Sequence, residues 1–264
     1  MAGYGYHAAG VAGFVELAGW PDMAPSGPWN AYTDTIAPRF LVTTLLAALD
    51  HKRRTGEGQH IDLGQMEAAL HFLAPEMLAR QLTDRRFTRN GNRSADAAPQ
   101  GVYPCAGHDE WCAIAVEDDD QWRALRSLLG DAEWMRAAEL ETVPGRFAAH
   151  DRLDEALADW TREQKPRDAM NKLAAAGVPA GHVQRSRDLQ TDPQLRHLGF
   201  HREFDHAEMG RIPYSGHQFR VSGYDGGPRF ASPLLGGESF EILADELGMK
   251  PEDIADLMAA GAIT

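Results

Sequence analysis

The stretch from residue 52 to residue 73 constrains the fold of this chain more than any other segment. It follows an apolar run from Ile36 to Leu49 that has helical spacing, and it opens with three cations, Lys52 to Arg54. Cations stabilise the negative C-terminal end of a helix, and a glycine such as Gly56 commonly ends one. The pattern therefore predicts a helix over about 36–54 that stops at a turn.

The residues after this turn predict two further elements. His60-Ile61-Asp62-Leu63 alternates polar and apolar side chains, which indicates a short strand, and helical spacing resumes from Gln65 to Leu82. Pro75 lies inside the second helical run, where a proline removes a hydrogen bond and bends the helix. We therefore predict a helix, turn, strand, helix unit whose second helix is kinked.

Length and charge set limits on the class of protein. A chain of 264 residues can bury a full core in one large domain or two smaller ones. The formal net charge of −13 argues against nucleic acid or an anionic membrane surface as the main partner, because both require a positive field. No apolar run approaches the length needed to cross a bilayer, so we expect no membrane association.

The two cysteines, Cys105 and Cys112, are separated by a gap that fits no common zinc or redox spacing. We expect them to be reduced packing residues.

The first residues contain neither the basic nor the apolar region of a signal peptide, which leads us to expect a cytoplasmic location.

Positive charge is concentrated in one segment. Between residues 79 and 93 there are five arginines against a single acidic residue, Asp84, whereas residues 101–160 carry a net charge of −9. The basic segment suits an anionic small molecule, and it is equally typical of a solvated loop.

The pattern along the chain predicts three regions: a segment with long helices at 1–100, a small α/β domain at 101–195, and a C-terminal segment at 196–264. In the middle region a pair of strands joined at a turn precedes an amphipathic helix that begins at three aspartates and ends at Gly130. The predicted elements of this domain are strands at 101–105, 111–116 and 178–183, and helices at about 118–130, 153–160 and 166–177.

The block from residue 52 to residue 73, together with Tyr32-Thr33-Asp34 and the ending from Pro233 to Leu243, resembles the class III CoA-transferases. This resemblance implies an α/β fold, with a portion of a large domain and a smaller mixed α/β domain, in chains that form an interlocked dimer. It covers about the C-terminal two thirds of the family's usual length. It therefore implies that another chain or a neighbouring subunit supplies the N-terminal half.

The resemblance also implies a mechanism. In the family an aspartate after a Gly-Tyr pair attacks the acyl-CoA and then carries CoA as a thioester. The matching segment here is Gly3 to His7, and Gly5 stands where the aspartate is expected. Glycine offers no nucleophile, so the sequence alone leaves the catalytic residue unknown. Tyr6 and His7 are the nearest functional side chains in sequence, and Asp22 and Asp34 are the nearest carboxylates.

A second family segment predicts the ligand-binding residues. Gly91-Asn92-Arg93, followed by Tyr103, resembles the Gly-Asn-Arg segment and mobile loop that cover the family's active site. An arginine fork suits phosphate because it donates two parallel hydrogen bonds. Arg93 is therefore the main candidate for binding CoA, and its alternative role is an ion pair that fixes the loop. Trp20, Trp29 and Phe40 are candidates for the acyl pocket, or else core and interface residues.

The leading hypothesis is a protein that transfers CoA from an acyl-CoA to a carboxylic acid, either as a whole enzyme or as one component of a split enzyme. One alternative is a non-catalytic partner or truncated remnant of the family, and another is an acyl-CoA racemase or isomerase. The resemblance implies CoA and acyl-CoA as substrates, with no covalently bound cofactor. His197, His201 and the acidic residues after them lack a zinc-binding pattern, so we predict no bound metal.

Overall fold

The computed structural model of this chain describes residues 3–28 and 30–263. The chain forms two compact units, Met1–Val183 and Gln184–Thr264. Within the described ranges, no helix combines the length and the apolar character that a membrane crossing requires.

The first unit contains nine α-helices, three short 3₁₀ segments and three strands among its described residues. The helices are α1 (Gly5–Ala12), α2 (Phe14–Leu17), α3 (Tyr32–Thr55), α4 (Gln65–Leu70), α5 (Ala74–Leu82), α6 (Asp119–Leu128), α7 (Val143–Ala148), α8 (His150–Arg162) and α9 (Pro166–Ala175). The strands are β1 (Gln100–Pro104), β2 (Trp111–Ala115) and β3 (Ala180–His182).

The helix predicted over 36–54 is α3, which starts four residues earlier and ends at Gly56 in a left-handed conformation. The predicted strand at His60–Leu63 is wrong, because these residues have no strand partner among the described residues and alternation alone does not make a ladder. The predicted kink is a break: a short 3₁₀ segment, His71–Leu73, separates α4 from α5, and Pro75 lies in the first turn of α5.

The strands form an antiparallel sheet with β2 in the centre. Tyr103 of β1 pairs with Cys112 of β2, and Cys112 pairs in turn with His182 of β3. The predicted strands at 101–105 and 111–116 are confirmed within one residue, and β3 is shorter than predicted. The helices predicted in this region are confirmed as α6, α8 and α9.

The main hydrophobic core lies between this sheet and the helices α6, α8 and α9. Trp122, Leu125 and Leu157 are fully buried in it. Cys105 and Cys112 are free thiols in the same core, and burial raises the pKa of the Cys112 thiol to about 11. Both cysteines are therefore unreactive packing residues, as expected from their spacing.

One charged side chain is buried in this region. Arg146 of α7 is completely buried and donates to the carbonyls of Ala98 and Leu140, at 2.9 and 3.0 Å, and to Asp119, at 2.9 Å. Its guanidinium carbon also lies 5.8 Å from the ring centre of Trp122. Arg146 thus joins the start of β1, the segment before α7 and the first turn of α6.

The second unit is smaller and contains a hairpin. Its elements are α10 (Ser186–Leu189), α11 (Pro193–His197), β4 (His201–His206), β5 (Gly210–Ser215), α12 (Ser239–Glu241), a π-helical turn at Ile242–Glu246, and α13 (Pro251–Ala259). The strands β4 and β5 are antiparallel, with His206 paired to Gly210 at the turn.

We predict that Arg146→Met lowers the free energy of unfolding by about 2–4 kcal/mol, because two buried carbonyls and a carboxylate lose their donor. Urea denaturation followed by tryptophan fluorescence measures this change. Arg162→Met is the control, since Arg162 is exposed and pairs with Asp159, and it should cost less than about 1 kcal/mol. Equal stability of the two variants would contradict the prediction.

Candidate functional site

The carboxylate of Asp154, on α8, is the centre of a polar cluster in the first unit. It accepts a hydrogen bond from the Tyr103 hydroxyl at 2.7 Å. It also lies 3.0 Å from the Nδ1 atom of His150 and 3.0 Å from a guanidinium nitrogen of Arg93. These side chains come from β1, α8 and the loop before β1, so the cluster fixes all three relative to one another.

Local structure explains the His150 and Asp154 pair. The two residues are four positions apart on α8, the spacing at which helical side chains are neighbours. The backbone N–H of Gln100 donates to Nε2 of His150 at 3.3 Å, which makes that nitrogen the acceptor. Nδ1 therefore carries the hydrogen and donates a hydrogen bond to Asp154.

Arg93 forms ion pairs, which is the alternative to CoA binding that the sequence analysis considered for it. Its guanidinium pairs with both Asp151 and Asp154. The hydrogen bond to Asp151 is the main reason that the pKa of Arg93 is raised. Two carboxylates thus compensate its positive charge, and these ion pairs tie the loop to α8.

Protonation in the cluster follows from burial and hydrogen bonding. Burial raises the pKa of Asp154, but the hydrogen bonds from His150 and Tyr103 outweigh it, and the net pKa is below its ordinary value. Burial and the neighbouring Asp154 charge raise the pKa of Tyr103. Asp154 is thus an anion near neutral pH and Tyr103 is a neutral donor.

The predicted ligand-binding residues Gly91, Asn92, Arg93 and Tyr103 all line one cleft of about 630 Å³. Trp20 forms a section of its wall. The Cβ of any other residue at position 91 would lie 3.0 Å from the Trp20 Nε1 atom, and Gly91 has a φ of 59°. Glycine therefore satisfies both the close approach of Trp20 and the left-handed backbone.

A second cleft of about 440 Å³ adjoins the first, since Asn90 and Arg93 line both. Arg85, Arg86 and Arg89 also line it. Arg89 pairs with Glu16 at 3.0 Å. Arg85 and Arg86 are exposed, and within the described residues neither has a carboxylate partner. The basic segment seen in the sequence is thus a surface on which two arginines form no ion pair with a described carboxylate, although Glu76 lines the same cleft.

Gly5 lies at the start of α1, and its surroundings come from α3 and α4. The Thr33 hydroxyl donates to the Gly5 carbonyl at 2.8 Å. Asp34, the next residue, has an exposed side chain that accepts a hydrogen bond from the Gln65 amide at 2.8 Å. The structure thus brings Asp34, one of the two carboxylates named from the sequence, next to Gly5.

The other residues considered near Gly5 have different partners. The backbone N–H of Gly27 donates to the Tyr6 hydroxyl at 2.6 Å, and that of Tyr4 donates to Nδ1 of His7 at 3.2 Å. Asp22 is exposed and lies in the wall of the cleft that contains Arg93. His7 therefore belongs to a helix cap, and Tyr6 fixes the loop before α3.

The aromatic candidates for the acyl pocket lie apart. Trp20 is in the cleft described above, whereas Phe40 stacks on His71 with ring centres 5.2 Å apart. Trp29 lies outside the described residues. A larger cavity of about 1120 Å³ belongs to the second unit, and residues of the loop 216–226 form much of it. None of the site residues predicted from the sequence line that cavity.

Two of the histidines near residue 200 have their own partners. His201 lies 3.3 Å from the Leu189 carbonyl, and His206 accepts from two backbone N–H groups of its own turn. Glu203 pairs with Arg211 at 2.7 Å. Among the described residues, no group of three His, Cys, Asp or Glu side chains could hold a metal ion.

Sequence reasoning missed His150 and Asp154. Their four-residue spacing is a weak signal, because many surface helices place a histidine and a carboxylate in this way. Only the packing of β1 beside α8 shows that both side chains face the Gly91–Arg93 loop.

Comparison with known proteins identifies the family. Residues 1–239 match the model of CoA-transferase family III. Two curated relatives are a succinyl-CoA–D-citramalate CoA-transferase and the alpha subunit of a succinyl-CoA–L-malate CoA-transferase, both from Chloroflexus aurantiacus. They are 28% and 27% identical to this chain, over 99% and 97% of its length. The chain spans 65% and 60% of these two relatives, and 33% of another.

The solved structures agree with this assignment. A crystal structure of a CaiB/BaiF family protein from Brucella suis matches with a TM-score of 0.79 and 29% identity, covering 92% of this chain and 63% of that one. The chain therefore belongs to CoA-transferase family III, and its α/β fold is that of the class III CoA-transferases. The resemblance seen in residues 32–73 is confirmed.

We predict that Asp154→Asn lowers the free energy of unfolding by about 1–3 kcal/mol at pH 7, because an amide cannot accept from all three donors. The folded-state pKa of Asp154 is lowered, so its contribution is present above the unfolded pKa and disappears as the pH falls. The difference between the variant and the parent protein should therefore shrink below about pH 4. Urea denaturation at a series of pH values measures it.

Asp159→Asn is the matched control for this prediction, since Asp159 is an exposed residue of the same helix paired with Arg162. Its effect should stay below about 1 kcal/mol at every pH. An Asp154 variant as stable as this control at pH 7 would refute the central place of Asp154 in the cluster.

Proposed function

We propose that this chain acts in the transfer of coenzyme A from an acyl-CoA to a carboxylic acid. The observation that carries the proposal is membership of CoA-transferase family III over residues 1–239. The cleft that contains Gly91, Asn92, Arg93 and Tyr103 supports it, because these residues resemble the family's active-site segment in sequence. CoA enters the reaction as a substrate and needs no covalent attachment as a cofactor.

In this proposal the CoA phosphates bind along the two adjoining clefts. Arg85 and Arg86 supply positive charge and form no ion pair with a described carboxylate, and arginine is well suited to phosphate. Gly91 and Asn92 form the wall next to them, while Arg93 and Tyr103 keep that wall in place through Asp154. Trp20, half exposed beside Gly91, offers a flat apolar face for the adenine ring.

The acids to test first are short dicarboxylates. The curated relatives described above act with succinyl-CoA and accept D-citramalate or L-malate, according to their names. We propose an acceptor of the same class, a four- or five-carbon acid with two carboxylates.

We also propose that the chain functions in an assembly, as a homo-oligomer such as the interlocked dimer or with a second chain. Five apolar side chains along α3, between 44% and 62% exposed, support this proposal: Leu41, Val42, Leu45, Leu46 and Leu49. A contiguous apolar stripe is unusual on a monomer and is typical of a surface that a partner covers. One relative is named as an alpha subunit, which fits a second chain.

Two free buried cysteines fit a reducing compartment, and we propose that this compartment is the cytoplasm.

We predict that Arg85→Gln combined with Arg86→Gln weakens CoA binding roughly tenfold, because charge-assisted contacts to phosphate are lost. Isothermal titration with CoA, using the protein purified with any natural partner, measures the affinity. Arg123→Gln combined with Arg162→Gln removes the same charge from exposed ion pairs elsewhere and should leave the affinity unchanged. Equal affinity of all three proteins would exclude the arginine surface as the CoA site.

The transfer reaction itself is tested by incubating the protein with succinyl-CoA and either citramalate or malate. Mass spectrometry follows the formation of the new CoA thioester. Formation of citramalyl-CoA or malyl-CoA would support the proposal. Proton exchange next to the thioester carbonyl without CoA transfer would instead indicate an isomerase. Neither activity, and no CoA binding, would indicate a non-catalytic member of the family.

We predict that Val42→Asp combined with Leu46→Asp reduces the native mass to that of a single chain, 29.0 kDa before the substitutions. The two side chains are exposed and one helical turn apart, so aspartates there disrupt an interface without disturbing the core. Light scattering after size-exclusion chromatography measures the mass. Lys52→Asp, in the same helix but outside the stripe, is the control, and a monomeric parent protein would contradict the proposed assembly.

A further inference from the structure

Strand β1 lies at an edge of the three-stranded sheet, since β2 alone pairs with it. Successive residues of an antiparallel strand direct their N–H and C=O groups alternately toward and away from the neighbouring strand. The Cys105 N–H donates to the Glu110 carbonyl at 2.7 Å, so the odd-numbered residues of this continuous register bond toward β2. The backbone groups of Gln100, Val102 and Pro104 therefore point away from the sheet.

Helix α8 closes both ends of this outer edge. The Gln100 N–H donates to Nε2 of His150 at 3.3 Å, and the Thr161 hydroxyl donates to the Pro104 carbonyl at 2.7 Å. Pro104 has no N–H to offer. The first and last backbone groups of the edge are thus paired or absent.

The middle of the edge is open. Three consecutive groups, the Gln100 carbonyl, the Val102 N–H and the Val102 carbonyl, have no hydrogen-bond partner among the described residues. Val102 is half-buried and lines the cleft of about 630 Å³ that also contains Gly91 and Arg93. Backbone groups removed from water require partners, and folded proteins normally cover a free strand edge. A molecule in this cleft therefore meets an acceptor, a donor and an acceptor in a row.

We propose that this free edge of β1 binds the pantetheine arm of CoA, whose two amides extend the sheet as a short additional strand. The inference rests on the proposed function, CoA transfer between acids. The β-alanyl and cysteamine parts of the arm carry an N–H, a C=O and an N–H in that order. This order is the complement of the three free groups, and extended chains bind sheet edges through such main-chain hydrogen bonds.

The position of the edge suits the arm. In CoA the arm follows the pyrophosphate, and the cleft of Arg85 and Arg86 adjoins the cleft at β1 through Asn90 and Arg93. A CoA molecule bent at its pyrophosphate thus places the arm beside Val102 while its phosphates stay at the arginines.

The same edge suits a polypeptide strand poorly. A strand of several residues needs a longer row of free groups, whereas Pro104 lacks a donor and α8 occupies both ends. Two amides of a small ligand match the length that remains open.

The decisive measurement is hydrogen exchange of backbone amides, followed by NMR on the ¹⁵N-labelled protein purified with any natural partner. CoA should slow the exchange of the Val102 amide at least about tenfold, because the amide gains an acceptor. Adenosine 3′,5′-bisphosphate, which has the phosphates but lacks the arm, should leave this exchange unchanged. Binding of CoA without protection of Val102 would overturn this inference and leave the proposed function standing.

Val102→Pro tests the donor by removing it. Because this N–H points away from β2, the ladder keeps its hydrogen bonds, and proline is tolerated at such edge positions. The variant should bind CoA about tenfold more weakly and bind adenosine 3′,5′-bisphosphate as the parent protein does. Val102→Ala keeps the N–H and is the matched control, with the parent affinity for both ligands.

The two ligands separate the possible outcomes. Unchanged CoA affinity of Val102→Pro, or an equal loss of both ligands from a variant that urea denaturation shows to be folded, would overturn the role of the edge. If the proline variant does not fold, the exchange of the Val102 amide in the parent protein decides by itself. Absence of CoA binding by the parent protein would overturn the proposed function and this inference with it.

Discussion

The arrangement around the candidate cleft depends on one carboxylate. Asp154 accepts from Arg93, Tyr103 and His150, which come from a loop, a strand and its own helix. Removing its charge leaves three donors without their partner in a region that is only partly open to water. The position of the Gly91–Arg93 loop therefore depends on Asp154 of α8 as well as on the loop's own Gly91 and Arg93.

Asp34 is a second carboxylate of the first unit, and its surroundings differ from those of Asp154. Asp34 lies against Gly5, and Thr33 and Gln65 hold this contact in place. The two carboxylates differ in what surrounds them. Both oxygens of Asp154 are engaged by donors and serve the architecture, whereas Asp34 keeps one oxygen accessible. Hydrogen bonding thus distinguishes a carboxylate with both oxygens engaged from one with a single engaged oxygen.

The surface of the first unit carries two further features with distinct physics. The arginine surface at Arg85 and Arg86 concentrates positive charge on a strongly acidic protein, which favours binding of a phosphorylated ligand there over binding elsewhere. The stripe on α3 is apolar, and burying it gains free energy only when another polypeptide covers it. The proposed anion site and the proposed partner surface thus use different residues of this unit.

The sequence by itself determined the family, the helix α3, the strands β1 and β2, and the helices α6, α8 and α9, because periodicity, caps and turn residues are local signals. It also grouped Gly91, Asn92, Arg93 and Tyr103, which line one cleft, and their role in binding CoA stays a prediction. It failed at His60–Leu63, where a strand requires a partner that no local pattern reveals. Only the tertiary structure joined His150 and Asp154 to the loop, and only it placed Asp34 in the space beside Gly5, because those contacts link residues far apart in the chain.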